Sequence, residues 1–241
     1  MQNKVLKYLH SFYSALIDFI YPPVCLLCDE YLDQNERLVC EQCWNNLPRL
    51  DQKLPENQTA PALNESAALK RIVSLWEFSD AVHRVIYEMK YFRKKSIANR
   101  IGREIATIIA NDAEISSADL IVPVPLHKTK FRERGFNQSH LIANVISCIF
   151  KIPVENGILQ RIKRTKTQAK LNADERRKNV ADAFKCVSGK GINNKTILIV
   201  DDVCTTGATI NACAEVLRKH GCVKTIGLTA AKTLRHETIS T

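Results

Sequence analysis

Glycine is scarce in this sequence, with eight residues among 241. No position supplies the G-x-x-x-x-G-K-[ST] loop with which P-loop ATPases hold nucleotide phosphates, so that class of protein is excluded. Long apolar runs are lacking too, since no stretch approaches the roughly 18 apolar residues of a membrane-spanning helix. The N-terminal stretch has neither a clean apolar run nor a small-residue cleavage site. We therefore expect no secretory signal and a cytoplasmic protein.

The length and a 45% share of hydrophobic residues fit one sizeable core with a small additional module. The formal net charge of +10 biases the surface toward polyanions, although solvated lysines explain it equally well. Apolar residues recur at helical spacing from Val5 to Ile20, which predicts an amphipathic helix. That helix would dock onto the chain's own core or form a peripheral membrane or partner contact.

Four of the nine cysteines form the pattern C-x2-C, eleven residues, C-x2-C. Two such turns can supply four thiolates to one tetrahedral ion, which predicts a structural zinc site without an open position. An iron cluster, a redox pair or incidental cysteines are the alternatives. Cys204 stands apart, because it precedes a predicted helix N-terminus that would stabilise a thiolate. The proposed metal ligands are Cys25, Cys28, Cys40 and Cys43.

A polar, proline-bearing segment follows Trp44, and we place a domain boundary in it. Residues 1–60 then hold the N-terminal helix, the four-cysteine ribbon and a linker, and residues 61–241 form a second domain. Strands alternate with helices in that domain, which predicts an α/β fold with a mainly parallel sheet flanked by helices. The predicted strands are 71–78, 119–126, 196–200 and 223–231, and the predicted helices are 81–92, 96–110, 137–150 and 208–220.

The most informative stretch is ILIVDDVCTTGATI, at 197–210. A strand that ends in acids is also typical of a Walker B element, but the P-loop partner is missing. The backbone N–H groups of the Thr-Gly turn, with the threonine hydroxyls, would hold one monophosphate. Asp201 and Asp202 would accept hydrogen bonds from vicinal sugar hydroxyls or contact Mg2+. The stretch therefore predicts a ribose 5-phosphate site.

This stretch resembles the signature of the type I phosphoribosyltransferases, whose common ligand is 5-phosphoribosyl-1-pyrophosphate (PRPP). The resemblance implies that Asp201 and Asp202 are catalytic-site acids that hold the ribose hydroxyls, and that PRPP binds with Mg2+. Purine-salvage members carry a base, Asp, two residues before the loop glycine, where this chain has Thr205, so no acceptor base is assigned. The residues expected to bind PRPP are Asp201, Asp202, Thr205, Thr206, Gly207, Ala208, Thr209, Lys128, Arg132 and Arg134.

Two basic segments lie upstream of the acids. The first, residues 128–137, is predicted to be a loop after a strand and could hold a pyrophosphate. The second, residues 161–179, matches the region where the enzyme family has a mobile loop that closes over pyrophosphate and excludes water. A solvated run of charge explains either segment as well.

The whole chain is similar to the ComF/GntX family of phosphoribosyltransferase-like proteins over nearly all of residues 25–232. That resemblance implies a role in natural competence, with uptake of single-stranded DNA for transformation and contacts with competence proteins. The aromatic residues Tyr91, Phe92, Phe131 and Phe136 are close in sequence to the basic loops, and they could stack on the bases of a single DNA strand. The alternatives are phosphoribosyl transfer to an unknown acceptor, PRPP binding as a signal of metabolic state, and a role in gluconate utilisation.

Overall fold

The computed structural model describes residues 22–33, 38–50, 69–92, 94–163, 182–189 and 191–234. The chain divides into two compact units, residues 1–47 and 48–241. The predicted N-terminal helix and most of the second basic segment lie outside the described residues. The predicted boundary at residue 60 also lies outside them and stays a prediction.

The first unit is built around its cysteines. An isolated antiparallel bridge joins Val24 to Tyr31, and helix α1 follows at Glu41–Asn45. The Sγ atom of Cys40 accepts a hydrogen bond from the backbone N–H of Cys43 and so caps that helix. Among the described residues of this unit, the buried apolar side chains are Cys25, Val39, Trp44 and Leu47. A core of this size stabilises a fold only weakly without a metal.

The second unit is an α/β domain, and its fold class is the one that the sequence predicts. Its elements in chain order are β1 (Leu69–Glu77), α2 (Asp80–Tyr91), α3 (Lys95–Ile109), α4 (Ala113–Ser116), β2 (Leu120–Pro123), α5 (Lys128–Arg134), α6 (Gln138–Phe150), β3 (Leu159–Arg161), β4 (Phe184–Cys186), β5 (Thr196–Cys204), α7 (Ala208–Lys219) and β6 (Lys224–Lys232).

Four parallel strands form the main sheet in the order β1-β6-β5-β2. β3 and β4 form a separate antiparallel pair. β5 has β6 on one side and β2 on the other, and almost all of its residues are buried, as expected for a central strand covered on both faces. Because all four strands run in one direction, their carboxyl ends share one edge of the sheet, and the acids of β5 lie there.

Amphipathic helices cover this sheet. α3 buries one apolar face, and Gly102 lets it approach α6 closely, since a Cβ there would lie 2.7 Å from the Cβ of Val145. α7 packs its buried Ile210, Cys213 and Leu217 in the same core cluster as the apolar residues of β5. None of the helices in the described segments is long and apolar enough to cross a membrane.

The first basic segment differs from its prediction. Residues 128–137 were expected to form a loop, but Lys128–Arg134 is helix α5. His127 Nδ1 accepts a hydrogen bond from the backbone N–H of Thr129 at 3.3 Å and caps the first turn. Lysine, arginine and glutamate have good helix propensity, and Gly135 ends the helix at a φ of 76°. The loop prediction failed because this short helix has no buried residues, and therefore no apolar periodicity marks it.

Candidate PRPP site and zinc ribbon

Two buried carboxyl groups lie near the carboxyl end of β5, the second of them two residues before its last residue, Cys204. Its apolar residues 197–200 are fully buried, and Asp201 and Asp202 follow with 9% and 5% of their surface exposed. The carboxyl edge of a parallel sheet is where α/β proteins bind ligands. The structure therefore places two acids, already withdrawn from bulk water, at the edge where a ligand is expected.

Asp202 is held by donors from two helices. Gln138 Nε2, at the start of α6, donates to Asp202 Oδ2 at 2.8 Å. Lys90 Nζ, near the end of α2, forms an ion pair with the same oxygen at 2.7 Å. Arg134 donates in turn to Gln138 Oε1 at 3.0 Å, so that the amide is fixed from both ends. This arrangement orients one carboxylate oxygen and compensates its charge.

Asp201 is held in a similar way by neutral donors. Ser139 Oγ donates to Asp201 Oδ1 at 3.1 Å, and the backbone N–H of Asp202 donates to the same oxygen at 2.9 Å. Within the described segments, Asp201 Oδ2 and Asp202 Oδ1 have no hydrogen-bond partner. Each carboxyl group thus has one oxygen fixed by the protein and one left to accept from a ligand hydroxyl.

The two acids have opposite pKa shifts. Burial and the neighbouring charge of Asp202 raise the pKa of Asp201 to about 7. Burial also acts to raise the pKa of Asp202, but the Lys90 ammonium, the charge of Arg134 and the hydrogen bond from Gln138 together outweigh it and hold that pKa below its usual range. The pair therefore carries one firmly ionised carboxylate and one that titrates close to neutral pH.

The loop after β5 turns directly into α7. Gly207, at a φ of 73°, lies in the left-handed region and forms the N-cap, a conformation that glycine adopts without strain. Thr206 Oγ1 accepts a hydrogen bond from the backbone N–H of Ala208 at 3.4 Å. Thr205, Thr206 and Thr209 are all partly exposed at this helix N-terminus. Their hydroxyls and the first backbone N–H groups of α7 form a cradle suited to one phosphate.

Cys204 does not have the stabilised thiolate that its position in the sequence suggests. The side chain is 3% exposed, and burial raises the pKa of the Cys204 thiol to about 11. It is therefore a protonated thiol at neutral pH.

A cavity of about 150 Å³ lies beside Asp202. Its lining residues are Lys90, Tyr91, Lys130, Glu133 and Arg134. Burial lowers the pKa of Lys130, and the nearby positive charges of Arg134 and Lys90 lower it further. An anion in the cavity would relieve this repulsion and return the pKa of Lys130 toward its usual value.

The other predicted cations lie in different surroundings. Lys128 and Arg132 are exposed, and no described contact joins them to the acids. Arg161, at the end of β3, is close enough to Asp201 for the two charges to interact. Its guanidinium lies over the ring of Phe184, 5.4 Å from the ring centroid. The assignment of Lys128 and Arg132 to PRPP stays a prediction.

The four proposed zinc ligands lie together. The Sγ atoms of Cys25, Cys28, Cys40 and Cys43 are all within 4.8 Å of one another. A tetrahedral site with Zn–S bonds of about 2.3 Å separates its sulfurs by about 3.8 Å, and Cys28 Sγ lies 3.9 Å from Cys40 Sγ. Backbone N–H groups of Leu27 and Cys40 donate to Cys25 Sγ at 3.4 Å, which favours a thiolate there. The residues present fit a zinc ion.

Comparisons with known proteins agree with both units. A double zinc ribbon domain matches residues 16–65, and a phosphoribosyl transferase domain matches residues 137–237. Competence protein F of Haemophilus influenzae is 30% identical over 164 residues, which cover 66% of this chain and 71% of that protein. The chain belongs to the ComF family of phosphoribosyltransferase-like proteins.

Two further relatives are similar to this ComF protein over most of the chain. The DNA utilization protein YhgH of Escherichia coli K12 is 27% identical over 82% of this chain and 85% of its own length. Competence protein ComFC of Bacillus subtilis is 24% identical over 84% of this chain and 91% of its own length. The ribbon match, together with the cluster of four thiols, supports structural zinc in this ComF protein.

Sequence reasoning missed three residues of the acid site in this ComF protein. Lys90, Gln138 and Ser139 contact the acids from positions far away in the chain, with sequence separations of 64 and 62 for the last two. Two neighbouring polar residues, Gln138 and Ser139, are buried at the start of an apolar helix. Their place in the sequence, directly after the N-cap Asn137, was the one available signal, and it is easily taken for ordinary capping. No local pattern marks Lys90.

Proposed function

We propose that this ComF protein binds PRPP with Mg2+ at the carboxyl end of β5. We also propose that it binds single-stranded DNA in the cytoplasm and supports DNA uptake for transformation. The observation that carries the PRPP proposal is the pair of oriented carboxyl groups, each with one oxygen left for a ligand, directly before a Thr-Gly phosphate cradle. Vicinal ribose hydroxyls would donate to Asp201 and Asp202, and the 5′-phosphate would lie on the cradle. A reducing cytoplasm keeps the four ribbon thiols available to zinc.

The cationic cavity supports the pyrophosphate half of this ligand. Lys90, Lys130 and Arg134 line it with only one acid, Glu133, among them. Mg2+ is bound in proteins through one or two carboxylates together with substrate phosphates, and the acids and a pyrophosphate would provide those ligands. PRPP carries ribose hydroxyls, a monophosphate and a pyrophosphate, which are the groups that the two acids, the cradle and the cavity would bind.

A row of aromatic rings on α2 supports contact with single-stranded DNA. The rings of His83, Tyr87 and Tyr91 follow one another at helical spacing, with centroid distances of 6.1 and 4.6 Å. Tyr87, Tyr91 and Phe92 are 44%, 56% and 58% exposed, and Arg134 lies over the Tyr91 ring at 5.2 Å. Exposed rings beside cations bind unpaired bases and their phosphates without strong sequence preference. Phe136, by contrast, is buried and cannot contribute to this row.

The relatives also favour a role with DNA. Proteins named competence protein F, competence protein ComFC and DNA utilization protein are similar to this chain over most of their length. We extend that association to this chain as part of the proposal, with competence proteins as its partners in transformation.

Phosphoribosyl transfer is a second candidate function, and the cavity beside Asp202 favours it. An acceptor lone pair would attack the anomeric carbon of PRPP, the bond from that carbon to the pyrophosphate oxygen would break, and its electron pair would leave with pyrophosphate. The acceptor would lose its proton to water. Lys90, Lys130 and Arg134 would stabilise the charge that develops on the leaving group.

Calorimetric titration of PRPP and Mg2+ into the zinc-loaded full-length protein tests the first proposal. We expect micromolar binding by the wild type and a loss of at least 100-fold in Asp201→Asn/Asp202→Asn, which keeps the shape of both side chains. The control is Asp182→Asn, which changes a carboxylate that is 90% exposed. A folded wild type that does not bind PRPP would overturn the proposal.

Fluorescence anisotropy with a labelled single strand tests the DNA proposal. The change Tyr87→Ala/Tyr91→Ala should weaken binding about tenfold or more, because each stacked base contributes about 1–3 kcal/mol. Tyr31→Ala serves as the matched control, since Tyr31 is also exposed but lies in the ribbon unit. Equal affinities of the double variant and the control would show that the aromatic rings on α2 do not bind the single-stranded DNA.

A further inference from the structure

The aromatic row on α2 ends at the cavity of Lys90, Lys130 and Arg134. Tyr91 is the last ring of that row, and it also lines the cavity. Tyr87 lies one helical turn earlier, with its ring centroid 4.6 Å from that of Tyr91. The rings proposed to stack on bases therefore lead directly to the cations proposed to hold pyrophosphate.

Arg134 belongs to both features. Its guanidinium lies 5.2 Å from the centroid of the Tyr91 ring, and Arg134 is also one of the residues that line the cavity. It donates one hydrogen bond to Gln138 Oε1 at 3.0 Å. A guanidinium has five N–H donors, so this hydrogen bond leaves donors that can hold a phosphate oxygen. The same residue can thus stabilise a stacked base and a neighbouring phosphate.

Lys130 gives the cavity its available positive charge. Lys90 is already paired with Asp202, at 2.7 Å. Lys130 and Arg134 are four residues apart on α5, which puts both on one face of that helix. Within the described segments Lys130 forms no hydrogen bond or ion pair, and burial and the nearby charge of Arg134 lower its pKa. An anion is the partner that would complete this cavity.

The cavity has room for one anionic group. Its volume is about 150 Å³, below the roughly 300–1,000 Å³ of pockets that enclose a whole small-molecule ligand. A pyrophosphate and a strand phosphate placed there together would depend on the same cations and would repel each other. Both ligands proposed for this protein carry such a group next to the part that is recognised, the ribose in one and the base in the other. The two ligands would therefore compete for one position.

We propose that a backbone phosphate of single-stranded DNA occupies this cavity while the adjacent base stacks on Tyr91, so that the strand and PRPP exclude each other. The inference rests on the proposed function, which supplies both ligands. PRPP would then release a bound strand from α2, and a bound strand would keep PRPP out. Since coupling between two ligands is reciprocal, each would lower the affinity of the other by the same factor.

Competition titrations test this inference on the zinc-loaded full-length protein. A labelled oligothymidylate is titrated by fluorescence anisotropy at constant ionic strength, because strand binding weakens with salt. The titration is repeated with PRPP and Mg2+, with pyrophosphate and Mg2+, and with ribose 5-phosphate. The last is the matched control, since it carries the ribose hydroxyls and the 5′-phosphate but no pyrophosphate.

We expect PRPP or pyrophosphate, at about ten times its own dissociation constant, to raise the apparent dissociation constant of the strand about tenfold. The increase should continue in proportion to the ligand concentration, as one shared site requires. Ribose 5-phosphate, which does not reach the cavity, should leave the strand affinity within about twofold.

A change of Lys130 tests the shared cavity from the side of the protein. Lys130→Gln should weaken strand binding and pyrophosphate binding together, each about tenfold, while ribose 5-phosphate binding stays within about twofold. Lys219→Gln is the matched control, because Lys219 is an exposed lysine in the last turn of α7. A loss of pyrophosphate binding without a loss of strand binding would overturn the inference. Melting temperatures show whether both variants are folded, and the titrations of the wild type decide the question independently of them.

Two results with the wild type would overturn the inference alone: a strand affinity that stays unchanged at saturating PRPP, or displacement by ribose 5-phosphate as strong as by pyrophosphate. The first would mean that strand and PRPP bind together, and the second that the strand lies over the ribose site. If the wild type binds no PRPP, or no strand, the proposed function is wrong and the inference falls with it. Titrations of each ligand alone separate these cases.

Discussion

β5 and β6 each carry a buried charged residue near the carboxyl end of the sheet, and the two are treated in different ways. On β5, the carboxylate of Asp202 is paired with Lys90 and hydrogen-bonded to Gln138, which Arg134 holds in place. On β6, the amine of Lys232 has no partner among the described residues. The carboxylate is therefore organised before any ligand arrives, whereas the amine is left without an acceptor. The comparison teaches that only the charge on β5 is preorganised by the fold itself.

The largest expected effect comes from breaking the charge pair on β5. Lys90→Met leaves the buried carboxylate of Asp202 without its cation, and we expect a loss of about 3 kcal/mol in the free energy of unfolding. Urea denaturation measures this loss. Lys219→Met is the matched control, because Lys219 is an exposed lysine in the last turn of another helix. Equal stability of the two variants would show that the Lys90–Asp202 pair contributes nothing and would remove the contrast between Asp202 and Lys232.

A smaller effect is expected from pH, through Asp201. Its pKa is raised to about 7, so the carboxylate that accepts a ribose hydroxyl is present above that pH and lost as the pH falls through it. PRPP affinity should therefore decrease about tenfold from pH 8 to pH 6, beyond the decrease in Asp201→Asn. The variant is needed as the reference because the phosphate groups of PRPP titrate in the same range. Parallel profiles of wild type and variant would contradict this assignment.

The smallest effect, of opposite sign, is expected from the unpaired amine on β6. Lys232→Met replaces an uncompensated buried amine by an apolar side chain of similar length, and we expect the free energy of unfolding to rise by about 1 kcal/mol. Urea denaturation without ligand measures it. A destabilised variant would mean that Lys232 has a structural partner, and the buried charges on β5 and β6 would no longer differ in kind.

Local sequence predicted the centre of this site and missed its surroundings. The strand, the two acids and the Thr-Gly turn are contiguous, so the pattern at 197–210 carries the fold of that region and its proposed chemistry. Lys90, Gln138 and Ser139 reach the acids through tertiary packing, and Lys232 is distinguished only by burial without a partner, which no sequence pattern reveals. The helix α5 was missed because it is a surface helix without an apolar face.

A crystal structure of the protein with PRPP and Mg2+ tests the central claim most directly. The account predicts the 5′-phosphate on the backbone of 205–209, the ribose hydroxyls within hydrogen-bond distance of Asp201 and Asp202, and the pyrophosphate in the cavity of Lys130 and Arg134. PRPP bound elsewhere, or an empty site at concentrations that saturate the calorimetric titration, would contradict it.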